Sequence, residues 1–156
     1  MADYNVIIPT EIYRFVDFRQ EDLPGVAAIN EALVTFEPKA VFSWHLSVMI
    51  ECEDIILNGM PSQAERDVID PYGDLLDAAL KGDNADKPNS LFLGCITWNK
   101  TRELIYRVFD PEPANQYLVS VIEAKTHPRQ FDYRIDHDPE WKLAEWHLNA
   151  ATRGRR

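Results

Sequence analysis

Glycine is scarce in this chain, at 6 of 156 residues, and none of the six falls in a G-x-G-x-x-G or G-x-x-x-x-G-K arrangement. Such loops let backbone N–H groups approach a phosphate, so the dinucleotide fingerprint and the P-loop are both missing. The G-x-S-x-G nucleophile elbow is also absent. Histidine numbers four, His45, His127, His137 and His147. None makes an H-x-x-x-H pair or joins a Cys/His cluster, which argues against zinc. The acidic stretches lack the fixed spacing and Gly turn of a calcium loop. No cofactor and no metal are therefore expected. The two cysteines, Cys52 and Cys95, fall in expected strands and read as buried free thiols in a reducing compartment. A Cys–His nucleophile would need one of them beside His45, but mid-strand cysteines are usually core. No run of about 18 apolar residues exists to span a membrane. The N-terminal MADYNVIIPTEIYRF has acids early and no basic n-region, unlike a secretory signal. Together these features lead to the expectation of a cytoplasmic protein.

Positive charge is scarce as well. The net charge is −10, and it is uneven. Residues 1–94 hold 6 Lys/Arg against 17 Asp/Glu, a net of −11, whereas residues 95–156 hold 10 against 9, a net of +1. Residues 51–86 alone carry 10 acids against Arg66 and Lys81. Such a surface repels nucleic acid and anionic lipid and suits a basic partner. The plainer alternative is that the charge only maintains solubility.

What is present is a pattern of strands and helices about one domain long. Residues 1–150 are read as one domain and 151–156 as a basic, disordered tail. The centre is residues 91–110, two strands joined by a polar turn at Asn99-Lys100-Thr101. Residues 91–98 are apolar on both faces. In residues 103–109, Leu104, Tyr106 and Val108 alternate with Ile105, Arg107 and Phe109. Residues 42–52 alternate most clearly, with Trp44, Leu46, Val48 and Ile50 on one face and His45, Ser47, Met49 and Glu51 on the other.

Residues 12–18 read as a strand. Residues 21–36 carry Leu23, Val26, Ile29 and Phe36 at helical spacing, with Pro24 in the first turn and Pro38 beyond the end, so a helix is expected. Ser62 and Glu65 have capping-box spacing ahead of an apolar stripe that runs through Pro71 to Leu80. That stripe predicts one kinked helix or two short ones, with Glu65, Asp70, Asp74 and Asp77 on the opposite side. Asp110 caps a further helix that opens with Pro111 and Pro113. Residues 131–136 alternate as a half-exposed strand. Asp138-Pro139-Glu140-Trp141 reads as the start of a last helix. The predicted fold is α+β, with a ferredoxin-like split βαβ order of β-α-β-α-β-β-α-β-α. Its sheet is antiparallel, its helices lie mainly on one face, residues 42–52 and 103–109 are the inner strands, and the last helix closes an end.

Several short motifs in order carry a resemblance. Asn58-Gly59-Met60-Pro61 precedes a helix, Gly94-x-x-Thr97 leads to Arg102-Glu103-Leu104-Ile105-Tyr106, and Phe131-Asp132-Tyr133-Arg134-Ile135 leads to Asp138-Pro139-Glu140-Trp141. Over residues 41–148 the chain resembles the bacterial domain family of unknown function numbered 695, related to the ribonuclease E inhibitor B family. The resemblance implies a ferredoxin-like α+β fold, no catalytic residues to transfer, and a small cytosolic protein that works by binding another protein.

The leading expectation is a non-enzymatic, acidic protein-binding module, an inhibitor or immunity protein that neutralises a basic toxin or nuclease. Acidic surface would speed encounter with such a partner, and a few anchors would hold it. The contact candidates are Glu51, Glu53, Asp54, Asp70, Asp74 and Asp77, with Trp98 and Arg102 at the hairpin tip. A second expectation is a small-ligand binder or enzyme with a site between sheet and helices, built from His45, Glu51, Tyr106 and Arg107. A third is a structural homo-oligomer that uses a sheet edge or the open sheet face.

Overall fold

The structure, a computed structural model, describes residues 4–153. Alternating apolar residues build six strands, and they form one open antiparallel sheet: β1 (Tyr13–Gln20), β2 (Leu23–Asn30), β3 (Trp44–Glu51), β4 (Ser90–Trp98), β5 (Thr101–Val108) and β6 (Phe131–His137). Their order across the sheet is β1-β2-β4-β5-β3-β6. Three helices complete the α+β fold: α1 (Gln63–Lys81), α2 (Pro111–Ala124) and α3 (Glu145–Arg153). β3 and β5 are interior neighbours, as their patterns required. The β4–β5 turn lies where expected, with Asn99 and Lys100 both at positive φ, 43° and 68°. Two such residues in a row give the reversed turn whose twist matches a hairpin.

Period two decides which face each strand residue serves. Leu46, Val48 and Ile50 of β3 and Leu104, Tyr106 and Val108 of β5 pack under α1 and α2, joined by Ile69, Tyr72, Leu76 and Leu118. The opposite face carries Ile105, Leu91 and Leu93, covered by Phe42, Trp141 and Ala144. Farther along that face, Ala27 and Ile29 of β2 meet Ala150 and Ala151 of α3. The two long helices therefore share one face, while α3 covers part of the other rather than closing an end.

The N-terminal part differs from the expected helix. Residues 23–30 form β2, so the chain order is β-β-β-α-β-β-α-β-α, not β-α-β-α-β-β-α-β-α. Leu23, Val26 and Ile29 fit helical spacing, but Gly25, Ala27 and Ile29 are buried at period two once β2 lies between β1 and β4. Glu21 and Asp22, at φ 52° and 65°, turn β1 back into β2. Pro24 causes no lost sheet hydrogen bond to β4, because pairing with β4 begins at Gly25. Only a 3-10 turn, Glu31–Leu33, remains of the helix.

The caps follow the sequence more closely. Ser62 Oγ accepts from the Glu65 N–H at 3.1 Å, and α1 runs unbroken through Pro71. Asp110 caps α2 by accepting from Glu112 N–H at 3.1 Å. Asp138 also acts as a cap, accepting from the N–H groups of Lys142 and Leu143, but for a 3-10 turn, Lys142–Ala144. α3 starts after that turn and extends through Arg153, so residues 151–153 are helical rather than tail, with Ala151 fully buried. The rest of the expected tail, 154–156, lies outside the described residues.

Candidate functional site

α1 carries Asp70, Asp74 and Asp77 at i, i+4 and i+7, which puts the three carboxylates along one flank. Gly73 between them faces β5, where a Cβ would meet Leu104 at an ordinary contact distance of 3.8 Å. Beneath that flank lie Phe92 and Cys95 of β4 and Tyr106 of β5, and Tyr13 of β1 forms the outer wall. The result is an open cleft of about 390 Å³ with an aromatic floor and an acidic edge. Tyr13 stands edge-on to Phe92 at 5.9 Å, and Phe92 to Tyr106 at 5.7 Å.

The cleft's charges are partly balanced. Arg102 pairs with Asp70 and donates from Nε to Thr97 Oγ1 at 3.2 Å. Lys81 Nζ bridges Asp77 at 2.9 Å and Glu11 at 2.7 Å. Asp74 makes no hydrogen bond or ion pair among the described residues. Burial, then the charge of Asp77, keeps the Tyr106 phenol protonated far above its ordinary range. Burial also pushes the Cys95 thiol up, so it is not an activated thiolate.

Of the expected contact residues, Asp70, Asp74, Asp77 and Arg102 come together here. The others do not. Glu51 is exposed at the end of β3. Glu53 and Asp54 sit in the loop before α1, where Glu53 meets Arg129 at 3.6 Å and Asp54 accepts from Ser62 Oγ at 2.5 Å. Trp98 belongs to the opposite sheet face, its indole N–H donating to Gln20 O at 3.0 Å.

The enzyme-type set is also divided. His45 and Arg107 are cross-strand partners on the α3 side, whereas Tyr106 faces α1 and Glu51 lies at the far strand end. Arg107 is fully buried in a network with His45 Nδ1 at 3.0 Å, Asp138 Oδ2 at 3.0 Å and Phe42 O at 3.3 Å. Burial, then Arg107, holds His45 down to about 4, so it is neutral at pH 7. Cys95 lines the cleft on the α1 side, the face opposite His45, so the two form no nucleophile pair. Among the described residues no group of three His, Cys, Asp or Glu is placed to hold a metal ion. No helix among them is long and apolar enough to cross a membrane.

Sequence reasoning missed two buried ionic nodes. Glu65, 1% exposed, does not reach back to Ser62 as a capping box would. Its carboxylate takes a bidentate pair from Arg129, both bonds at 2.7 Å, and the N–H groups of Glu53 and Asp54. The second node is Arg107 with Asp138. Glu65 was expected on the polar side of α1 with Asp70, Asp74 and Asp77, but one turn before Ile69 it falls on the buried face. For the second node the one local signal was an Arg in an apolar strand.

This architecture defines a class: an open-sheet α+β protein with an acidic, aromatic-floored cleft between its longest helix and an N-terminal hairpin. By sequence the chain matches the family of unknown function DUF695 over residues 14–146, and it belongs to that family. No curated protein and no solved structure matches it.

Proposed function

We propose that this protein is a non-catalytic binding module for a basic protein, working as an inhibitor or immunity protein does. The observation that carries the reading is the convergence of Asp70, Asp74 and Asp77 on one aromatic-floored cleft, in a chain of net charge −10. Asp74 would receive a Lys or Arg of the partner. Asp70 and Asp77 already hold cations of this chain, Arg102 and Lys81, and the partner's groups would compete with them. Tyr13 and Phe92 offer apolar ring surface on which the stem of a long basic side chain packs. The acidic field would raise the encounter rate, and the cleft would set the lifetime. The short motifs shared in order with this family, if they also tie it to the ribonuclease E inhibitor B family, would fit the same reading and a bacterial, cytoplasmic setting.

The test compares wild type with the triple variant D70N/D74N/D77N, each tagged and exposed to lysate of the native cells at low and moderate salt. One basic partner, stoichiometric with wild type, lost at moderate salt and absent from the variant, is the expected result. A partner that the variant retains equally would remove this cleft from the reading.

A further inference from the structure

The sheet face that carries α3 is left uncovered at the end nearest the β4–β5 turn. Phe18 of β1, Ile96 and Trp98 of β4, Met49 of β3 and Trp146 of α3 surround an open pocket there of about 360 Å³, with Glu103 of β5 at its side. That size lies within the range of small-ligand sites. The walls are oriented by contacts of their own. Trp98 is fixed by its indole hydrogen bond to Gln20 O, 3.0 Å. Phe18 and Trp146 stand edge to face at 5.8 Å. Glu103 is positioned by Ser47, whose hydroxyl donates to Oε2 at 2.5 Å.

The pocket's own lining carries negative charge only, although the trough beyond Phe18 and Trp146 holds Arg14, Arg19 and Arg153 against Asp17. Among the described residues that line the pocket, Glu103 is the one carboxylate, and no Lys or Arg lies with it. His147, also in the lining, is held down to about 4 by burial and stays neutral. Arg102, next to Glu103 in sequence, points to the other face and pairs with Asp70. Glu103 makes no ion pair among the described residues. The adjoining trough, which shares Glu103 and Met49, adds Asp132 and Asp136 against one cation, Arg134. Two indoles, a phenyl ring, a polarisable thioether and one carboxylate without an ion-pair partner match an alkylated ammonium group, which is drawn to aromatic rings and counter-charge while needing no hydrogen-bond acceptor.

We propose that this pocket is a binding site for a small free organic cation with an alkylated ammonium head. The site lies on the face opposite the acidic cleft, and neither reading depends on the other. The test uses choline and its neutral isostere 3,3-dimethylbutan-1-ol, followed by the four indole N–H resonances of the intact protein. Choline is expected to shift the Trp98 and Trp146 signals saturably while those of Trp44 and Trp141 stay put. E103Q and W146A should each weaken choline about tenfold, whereas D74N should not. Equal binding of the alcohol would overturn the proposal, because the pocket would then be merely apolar. Weakening by D74N but not E103Q would overturn it too, by placing the cation in the acidic cleft. Failure to saturate below about 100 mM choline would count as no site.

Discussion

Arg107 and Asp138 meet 3.0 Å apart beneath the ring of Trp141, and the arginine has no solvent exposure. The guanidinium carbon lies 4.5 Å from the centre of that ring. A second bond, from Nη2 to Asp138 O at 2.5 Å, makes the contact two-pronged. Asp138 in turn caps the turn that leads into α3, and Trp141 donates to Lys39 O at 2.7 Å and Phe42 O at 3.0 Å. One buried cation thus joins β5, the segment before β3 and the β6–α3 connection. This explains the Asp138-Pro139-Glu140-Trp141 motif structurally. Asp138 and Trp141 are buried, whereas Pro139 and Glu140 between them stay exposed.

Replacing either partner alone leaves a charge or a set of donors buried without compensation. R107L and D138N are each expected to cost about 3–5 kcal/mol, read from urea midpoints. The double variant should cost clearly less than the sum, since both act on one network. Additive losses would mean that the two side chains stabilise the fold independently.

Glu65 governs the acid limb of stability. Its carboxyl is held down to about 2, first by the hydrogen bonds from Arg129 and then, against the opposing pull of burial, by the N–H groups of Glu53 and Asp54. A depressed folded pKa stabilises above the unfolded value and is lost on acidification. About 3 kcal/mol should therefore disappear as pH falls from roughly 4.5 to 2. E65Q should start less stable at pH 7 and show a flatter slope in that window. An unchanged slope would show that Glu65 does not titrate cooperatively with unfolding.

Histidine acts in a higher window with the same sign. His45 and His147 are both held to about 4, chiefly by burial, below their ordinary 6.5. Each stays neutral in the folded protein and takes up a proton on unfolding. Stability that is complete above pH 6.5 should fall as pH drops toward 4, by up to about 1.4 kcal/mol per pH unit for each histidine. H147L should remove one proton's share of that slope. Urea midpoints between pH 7 and 4 measure it.

The parts of the fold legible in the sequence are those decided by neighbours along the chain. The alternation of Trp44 through Glu51, the caps Ser62 and Asp110, and the turn at Asn99-Lys100 depend only on local chemistry. The acidic flank was legible because helical period alone aligns Asp70, Asp74 and Asp77. β2 was not, since its Leu23, Val26 and Ile29 also satisfy a helix, and its turn uses Glu21 and Asp22 in place of a glycine or asparagine. That misreading hid the cleft. Tyr13 can only stand over Phe92 when β1 and β2 form a hairpin against β4. Arg107 stands out locally as a charge in an apolar strand, but its pairing with Asp138 spans 31 residues, so nothing nearby names the partner.

Gly25 tests the hairpin directly. It lies opposite Phe18, and a Cβ at Gly25 would fall 2.2 Å from the ring. The ring must tilt away if any side chain is added. G25A is expected to destabilise by about 1–3 kcal/mol and to displace Phe18 from Trp146. Thermal unfolding reads the first effect, and a shift of the Trp146 indole resonance reads the second. A stable G25A protein with an unmoved Trp146 signal would show that the ring does not lie over the glycine.

Arg102 gives the acidic cleft a prediction of unusual sign. It pairs with Asp70, which is itself 58% exposed at its side chain, so it offsets part of the cleft's field. Removing it makes the cleft more negative. If a basic partner is steered there, R102Q should raise the association rate at low salt by several-fold, and the gain should fade as the Debye length shrinks. D74N should lower the same rate. Stopped-flow or surface-plasmon kinetics with the captured partner would resolve the two. Opposite signs with little change in dissociation identify steering by the cleft. A fall with both variants would instead mean that Arg102 acts through Thr97 and Asp70 to hold the cleft's shape, and that shape rather than charge limits encounter.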